Sequence, residues 1–74
     1  MEEHVMLHKA NQIALFFAAY PREEAIEGVR NHLKLFWVPR MRAQIIDYVA
    51  NNGGEGLHEL ALDAVKRLEP VTIR

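Results

Sequence analysis

The chain has 74 residues, enough for one domain with a thin core, because a chain of this size buries only about 60% of its unfolded surface. It contains no cysteine, which excludes a disulfide framework, a thiolate zinc site and an iron–sulfur cluster. Its 9 basic and 10 acidic residues give a net charge of −1, which lacks the basic footprint of a nucleic-acid-binding domain.

The periodicity of apolar residues predicts helices that are separated by proline and glycine. The first helix should span about residues 2–19. The second should begin at Pro21 and end near Phe36, with Glu23 and Glu24 in the first turn, where the helix dipole favours acids. The predicted inward faces of these two helices consist of Met6, Leu7, Ala10, Ile13, Ala14, Phe17, Ala25, Ile26, Val29, Leu33 and Phe36, with Trp37 beside them.

The third helix should begin at Pro39 and end in the sequence NNGG at residues 51–54, because glycine takes the left-handed cap conformation without steric cost. The fourth should follow Gly56 and stop at Glu69 and Pro70. Their predicted inward residues are Met41, Ile45, Tyr48, Val49, Leu57, Leu60, Ala61, Ala64, Val65 and Leu68. The sequence therefore predicts an all-α fold, a compact bundle of about four short helices over residues 1–69, with a flexible tail over residues 70–74.

Candidate catalytic groups are scarce in this sequence. It has no serine, and Thr72 is the only threonine, so a serine or cysteine nucleophile is excluded. His4 and His8 have a spacing that can hold a metal, but no third ligand accompanies them, and we interpret them as a solvated helix face. The glycines at residues 53–56 lack the lysine and hydroxyl of a phosphate-binding loop and are explained as a helix end.

The segment FWVPRMR at residues 36–42 is harder to explain by local structure. Phe36 is expected in the core. Arg40 and Arg42 fall in the first turn of the third helix, where the dipole disfavours cations, and they do not share a helix face. Two interpretations stay open: either the arginines are simply solvated, or they bind a partner together with Trp37, since Trp and Arg are enriched at interface hot spots.

Several large apolar residues do not lie on the inward face of their own helix. They are Leu15, Phe16, Leu35 and Leu62. Half of the residues are hydrophobic, which is a high fraction for so small an interior. These residues therefore suggest an apolar patch that belongs against another chain.

Three motifs stand in a recognisable order: ANQIALFF at residues 10–17, FWVPRMR at 36–42 and GGEGL at 53–57. Together they resemble the delta subunit of NAD-dependent, molybdenum-containing formate dehydrogenases. The resemblance extends over about residues 7–68, and the FWVPRMR segment is its most specific part.

This resemblance implies a non-catalytic accessory subunit of a cytoplasmic complex. In that family the alpha subunit carries the molybdenum cofactor and iron–sulfur clusters, and beta and gamma subunits pass electrons to NAD through flavin. The chain would bind the alpha subunit, support its assembly or stability, and hold no cofactor itself. The residues predicted to bind the partner are Trp37, Arg40, Arg42, Leu15, Phe16 and Leu35, together with Asn11 and Gln12 of the first motif.

Two alternatives stay open at this point. Arg40 and Arg42 could hold a small anion, such as the pyrophosphate of a pterin cofactor, because guanidinium groups and helix N-termini both favour phosphate. The isolated chain could also form a homodimer through its leftover leucines. The longest apolar run, residues 13–20, is too short to span a bilayer, so no membrane partner is expected.

Overall fold

The structure, a computed structural model, describes residues 1–71. Within this range it is all-α, as predicted, with helices α1 (Glu3–Phe17), α2 (Arg22–Phe36), α3 (Pro39–Asn52) and α4 (Glu59–Lys66). The body measures 36 × 21 × 17 Å. The predicted tail begins at Pro70, and its last three residues, 72–74, lie outside the described residues.

The ends of α2 and α3 follow the predicted signals closely, whereas α4 begins two residues after Leu57 and ends at Lys66, three residues before Glu69. Pro39 occupies the first turn of α3, and Gly53 ends that helix in the left-handed conformation, with φ of 67°. His58 is the N-cap of α4, where its imidazole Nδ1 accepts a hydrogen bond of 3.1 Å from the Leu60 amide. α1 ends two residues earlier than expected, because residues 18–20 form a turn before Pro21.

The core lies between the four helices, and α2 makes its most extensive contacts with α4 and α1. The buried residues are Met6, Ala10, Ala14, Ala25, Ile26, Val29, Leu33, Trp37, Ile45, Leu60, Ala61, Ala64 and Val65. The faces predicted from helical periodicity are thus confirmed, with the exception of Phe36.

The prediction that Phe36 belongs to the core is wrong. Its side chain is 70% exposed, whereas Trp37 is 6% exposed. α2 ends at Phe36, and Trp37 adopts an extended conformation with φ −86° and ψ 131°. Trp37 takes the inward position that the sequence predicted, whereas Phe36, the last residue of α2, lies against His32 one turn earlier, with ring centroids 4.7 Å apart, and not in the core.

Gly28 lets α1 and α2 approach closely. A Cβ atom placed on Gly28 would lie 2.6 Å from both Cδ1 and Cε1 of Phe17, well inside van der Waals contact. A helical glycine is normally unfavourable, and here the missing side chain makes room for the Phe17 ring.

The loop between α3 and α4 is tied to α1 by one side chain. Asn11 Nδ2 donates to the Gly56 carbonyl at 2.9 Å, and Asn11 Oδ1 accepts from the His58 amide at 2.8 Å. The Tyr48 hydroxyl donates to the carbonyl of Glu55 in the same loop. These bonds hold the glycine-rich segment against the bundle, and they agree with its interpretation as a structural turn.

Candidate interaction surface

Trp37 is buried inside the chain instead of being presented to a partner. Its side chain is 6% exposed, and its backbone is extended at the point where α2 ends. The tryptophan of the FWVPRMR segment thus serves the fold.

Arg42 also makes contacts inside the chain. Its Nη1 donates to the carbonyl of Trp37 at 2.5 Å and to the carbonyl of Lys34 at 3.2 Å. The last carbonyls of a helix lack intrahelical partners, and a cation is favourable there. Arg42 lies in the first turn of α3, but its side chain reaches back to the end of α2, so the dipole of the preceding helix favours it. This contact removes the apparent cost that the sequence suggested.

Arg40 is the arginine of this segment that remains exposed. Within residues 1–71 it makes no hydrogen bond or ion pair. Arg40 and Arg42 therefore do not act together as a clamp in this structure, because one is used by the fold and the other faces solvent.

A groove between α1 and α2 is lined mainly by aromatic and apolar side chains. Its volume is about 270 Å³, and its walls are Gln12, Ile13, Phe16, Phe17 and His32. We call these five residues, with the adjacent Phe36 and Tyr20, the aromatic groove.

The rings of the aromatic groove form two contacting sets. On α1, the Phe16 and Phe17 centroids are 5.1 Å apart with the rings edge to face, and the ring of Tyr20, in the turn after α1, lies 5.9 Å from that of Phe17. On α2, the His32 and Phe36 centroids are 4.7 Å apart. Phe16 is 71% exposed. The groove therefore presents aromatic surface to solvent on both sides, which is the composition typical of interface cores.

The remaining predicted partner-binding residues fall into two groups. Leu15 and Leu35 are exposed, and with exposed Val38 they add apolar area outside the groove. Gln12 lines the groove, whereas both amide atoms of Asn11 are used inside the fold. Periodicity placed Leu62 off the inward face, but it is half-buried over Gly54.

The α2–α4 face carries charge pairs that serve the fold. Arg67 makes a two-pronged contact with Glu23 at 2.5 and 3.0 Å and binds Glu27 at 2.9 Å. Hydrogen bonds from Arg67 lower the pKa of Glu23, and hydrogen bonds from Arg67 and Arg30 lower the pKa of Glu27. These carboxylates are therefore engaged as charged partners.

A second pair of acids on α4, Glu59 and Asp63, contacts Arg22 at the start of α2. The two carboxylates thus have a structural explanation. Across residues 1–71, no group of three or more His, Cys, Asp or Glu side chains could hold a metal ion.

A second concavity lies beside the end of α2 and the start of α3. This basic cleft has a volume of about 250 Å³ and is lined by Arg30, Lys34, Pro39, Arg42, Leu68, Glu69, Pro70 and Val71. It brings Arg42 together with two cations from α2, a grouping that the sequence alone did not indicate.

Residues 6–65 match the family model described as NADH-dependent formate dehydrogenase delta subunit, FdsD. The chain belongs to this family. The match confirms the resemblance seen in the three sequence motifs, and it makes the chain a subunit of a larger complex. No match was found among curated proteins or among solved structures.

The matched range of this delta subunit includes all residues of the aromatic groove, whereas one wall of the basic cleft, residues 68–71, lies beyond it. None of the helices within residues 1–71 is both long enough and apolar enough to cross a membrane.

Proposed function

We propose that this delta subunit is a non-catalytic accessory chain that binds the molybdenum-carrying alpha subunit of a cytoplasmic NAD-dependent formate dehydrogenase and supports its assembly or stability. The alpha subunit is the expected partner because it is the large cofactor-bearing chain of the family that the motifs resemble. The aromatic groove is the proposed contact surface, with Arg40 and the exposed leucines Leu15 and Leu35 around it.

The observation that carries this proposal is the placement of large apolar side chains. Of the 13 buried hydrophobic residues, five are alanines, whereas Phe16, Phe36, Leu15 and Leu35 are each at least 60% exposed. Burying one such side chain completely contributes about 1.5–3 kcal/mol. A soluble domain gains nothing from leaving several of them in water, so they are expected to be covered in the complex.

A non-catalytic role is supported by the side chains that are present. The sequence has no serine or cysteine, and the acids Glu23, Glu27, Glu59 and Asp63 are held in ion pairs with arginine. We propose that catalysis and cofactors belong to the other subunits, and that this chain holds no cofactor of its own.

The decisive experiment is co-purification of the tagged chain with the alpha, beta and gamma subunits, produced together and in pairs. We expect the alpha subunit to be retained when it is the only other chain present. Phe16→Asp combined with Phe36→Asp should weaken this association at least about ten-fold, because interface hot spots contribute 2 kcal/mol or more.

The matched control is Ala50→Asp, which adds the same charge at an exposed position of α3 outside the groove. Circular dichroism of each variant should show unchanged helix content, since all three positions are exposed. Retention of the alpha subunit by the Phe16 and Phe36 double variant would contradict the proposal that the aromatic groove is the contact surface. A separate set, Leu15→Asp, Leu35→Asp and Arg40→Glu, tests the surrounding residues.

Assembly and stability can be separated by producing the alpha subunit with and without this chain. If the other subunits form an intact complex without this chain but contain little molybdenum, its role is in assembly. A normal molybdenum content in a complex that dissociates would indicate a role in stability. A complex of the other subunits with normal molybdenum content and normal association would contradict both roles.

A further inference from the structure

The basic cleft carries an excess of positive charge that the rest of the chain does not explain. Arg22 and Arg67 each contact two carboxylates, and Arg30 contacts one, Glu27. Lys34 and Arg42 line the cleft beside Arg30 and form no ion pair within residues 1–71, and Glu69 is the carboxylate among the lining residues. The chain as a whole is slightly acidic. Positive charge is therefore concentrated in one concave place.

The cations of the cleft keep donors available for a ligand. Arg42 uses Nη1 for the helix carbonyls described above, and Arg30 uses Nε for Glu27 at 3.2 Å. Within residues 1–71, the other guanidinium nitrogens and the Lys34 ammonium have no hydrogen-bond partner in the protein. Because Arg42 is fixed by its carbonyl contacts, binding through its remaining N–H groups costs little conformational entropy.

The lining of the cleft also includes four apolar residues, Pro39, Leu68, Pro70 and Val71, which we call the apolar wall. An inorganic anion would leave this wall unused, whereas an organic ligand could place its charged end on the cations and its body against the wall. The volume of about 250 Å³ is just below the range of ordinary small-molecule sites, so the ligand must be small.

We propose that the basic cleft binds the phosphate group of a small organic phosphate monoester. Arg30 is already paired with Glu27, so Lys34 and Arg42 are the cleft cations that form no ion pair within residues 1–71. The three acceptor oxygens of a phosphate monoester can engage the N–H donors of both, whereas a carboxylate offers two oxygens. Guanidinium groups also fit phosphate geometry, because their donors lie in a planar fork. This site is separate from the aromatic groove and does not depend on the function proposed for that surface.

The test is a titration of the ¹⁵N-labelled full chain, followed by the NMR shifts of its backbone amides. The probes are phenyl phosphate, inorganic phosphate, benzoate and benzyl alcohol. Phenyl phosphate should give saturating shifts near Lys34, Arg42 and Val71, and it should bind more tightly than inorganic phosphate and benzoate. Higher salt should weaken the binding, because the attraction is between exposed charges.

Lys34→Ala should weaken phenyl phosphate binding about five-fold, the effect of losing one exposed ion pair. The matched control is Lys66→Ala, because Lys66 is the basic residue in the last turn of α4 as Lys34 is in the last turn of α2. Both lysines are exposed, so neither change should alter the fold.

Three outcomes would overturn the proposal. Shifts that do not saturate, or that are as large near Lys9 and Lys66 as near Lys34, would mean general attraction to cations. An equal effect of Lys34→Ala and Lys66→Ala would mean that phenyl phosphate does not bind in the basic cleft. Benzoate binding as tightly as phenyl phosphate would mean a carboxylate site, such as one for an acidic segment of a protein. None of these results affects the co-purification test.

Discussion

Replacing Gly28 by alanine tests how closely α1 and α2 pack. In an exposed helix this change is stabilising by about 1 kcal/mol, because alanine has the higher helix propensity. Here the added methyl would lie 2.6 Å from two carbons of the Phe17 ring, whereas carbon atoms pack best at about 3.5–4.0 Å. The ring or the helix must therefore move by roughly 1 Å.

Overpacking of this kind costs about 1–3 kcal/mol, which exceeds the gain in helix propensity. We expect Gly28→Ala to lower the free energy of unfolding by about 1 kcal/mol, measured by urea denaturation followed by circular dichroism. Phe17 contacts Phe16 and Tyr20, so the displaced ring should also change the aromatic groove.

The control is Asn31→Ala, an exposed position of the same helix, where only helix propensity should count. A double-mutant cycle with Phe17→Leu isolates the steric term, because the smaller side chain should accept the new methyl group. If Gly28→Ala raises stability as Asn31→Ala does, the close contact between the two helices is refuted.

Three further changes test other parts of the fold. Asn11→Ala should lower the free energy of unfolding by about 1–3 kcal/mol, because it leaves a loop amide and a loop carbonyl without partners; thermal melts measure this, and Gln12→Ala should have little effect. Arg42→Ala should cost about 1–2 kcal/mol in the same assay through its two carbonyl contacts, whereas Arg40→Ala should be nearly neutral. Arg67 lowers the pKa of its two glutamate partners, so the unfolded chain binds more protons in acid. The stabilising contribution of these two glutamates is complete above pH 4.5, their ordinary pKa. It is lost as the pH falls through the lower pKa values that they have in the folded chain. Arg67→Gln should flatten this acid limb in urea titrations between pH 3 and 6.

Each of these predictions has an outcome that would contradict it. Equal melting temperatures for the Asn11 and Gln12 variants would mean that the hydrogen bonds between Asn11 and the loop do not stabilise the fold. A larger loss at Arg40 than at Arg42 would contradict the capping contact. An acid limb that stays equally steep after Arg67→Gln would assign the pH dependence to other groups.

The sequence predicts the helices well because the signals for them are local. Apolar residues recur at helical spacing, and Pro21, Pro39 and Gly53 mark the ends. The exposure of Phe36 was not predicted by the same rule, because helical spacing does not show where the packing of a helix against its neighbours stops, and Phe36 is the last residue of α2.

The functional surfaces were less predictable, since they depend on contacts between helices. Arg42 looked unfavourable as part of α3, and only the path of the chain through Pro39 places it at the end of α2. Phe16 could be recognised as an off-face residue, but its neighbours His32 and Phe36 lie on another helix. Gly28 appears in the sequence as an ordinary helix glycine, and its close contact with Phe17 appears only after the helices are packed.

The sizes of the side chains connect the thin core to the proposed binding role. Alanines Ala10, Ala14, Ala25, Ala61 and Ala64 bring the helix backbones close together, but each buries little apolar area. A chain stabilised in this way is expected to have a small free energy of unfolding. Any partner that binds only the folded chain adds stability by mass action, and a partner that covers Phe16 and Phe36 buries large rings that the chain's own core leaves outside. This distribution of small side chains inside and large rings outside therefore leaves the isolated chain with low stability and favours binding to a partner. The stability of this subunit and its binding are thus expected to depend on one surface.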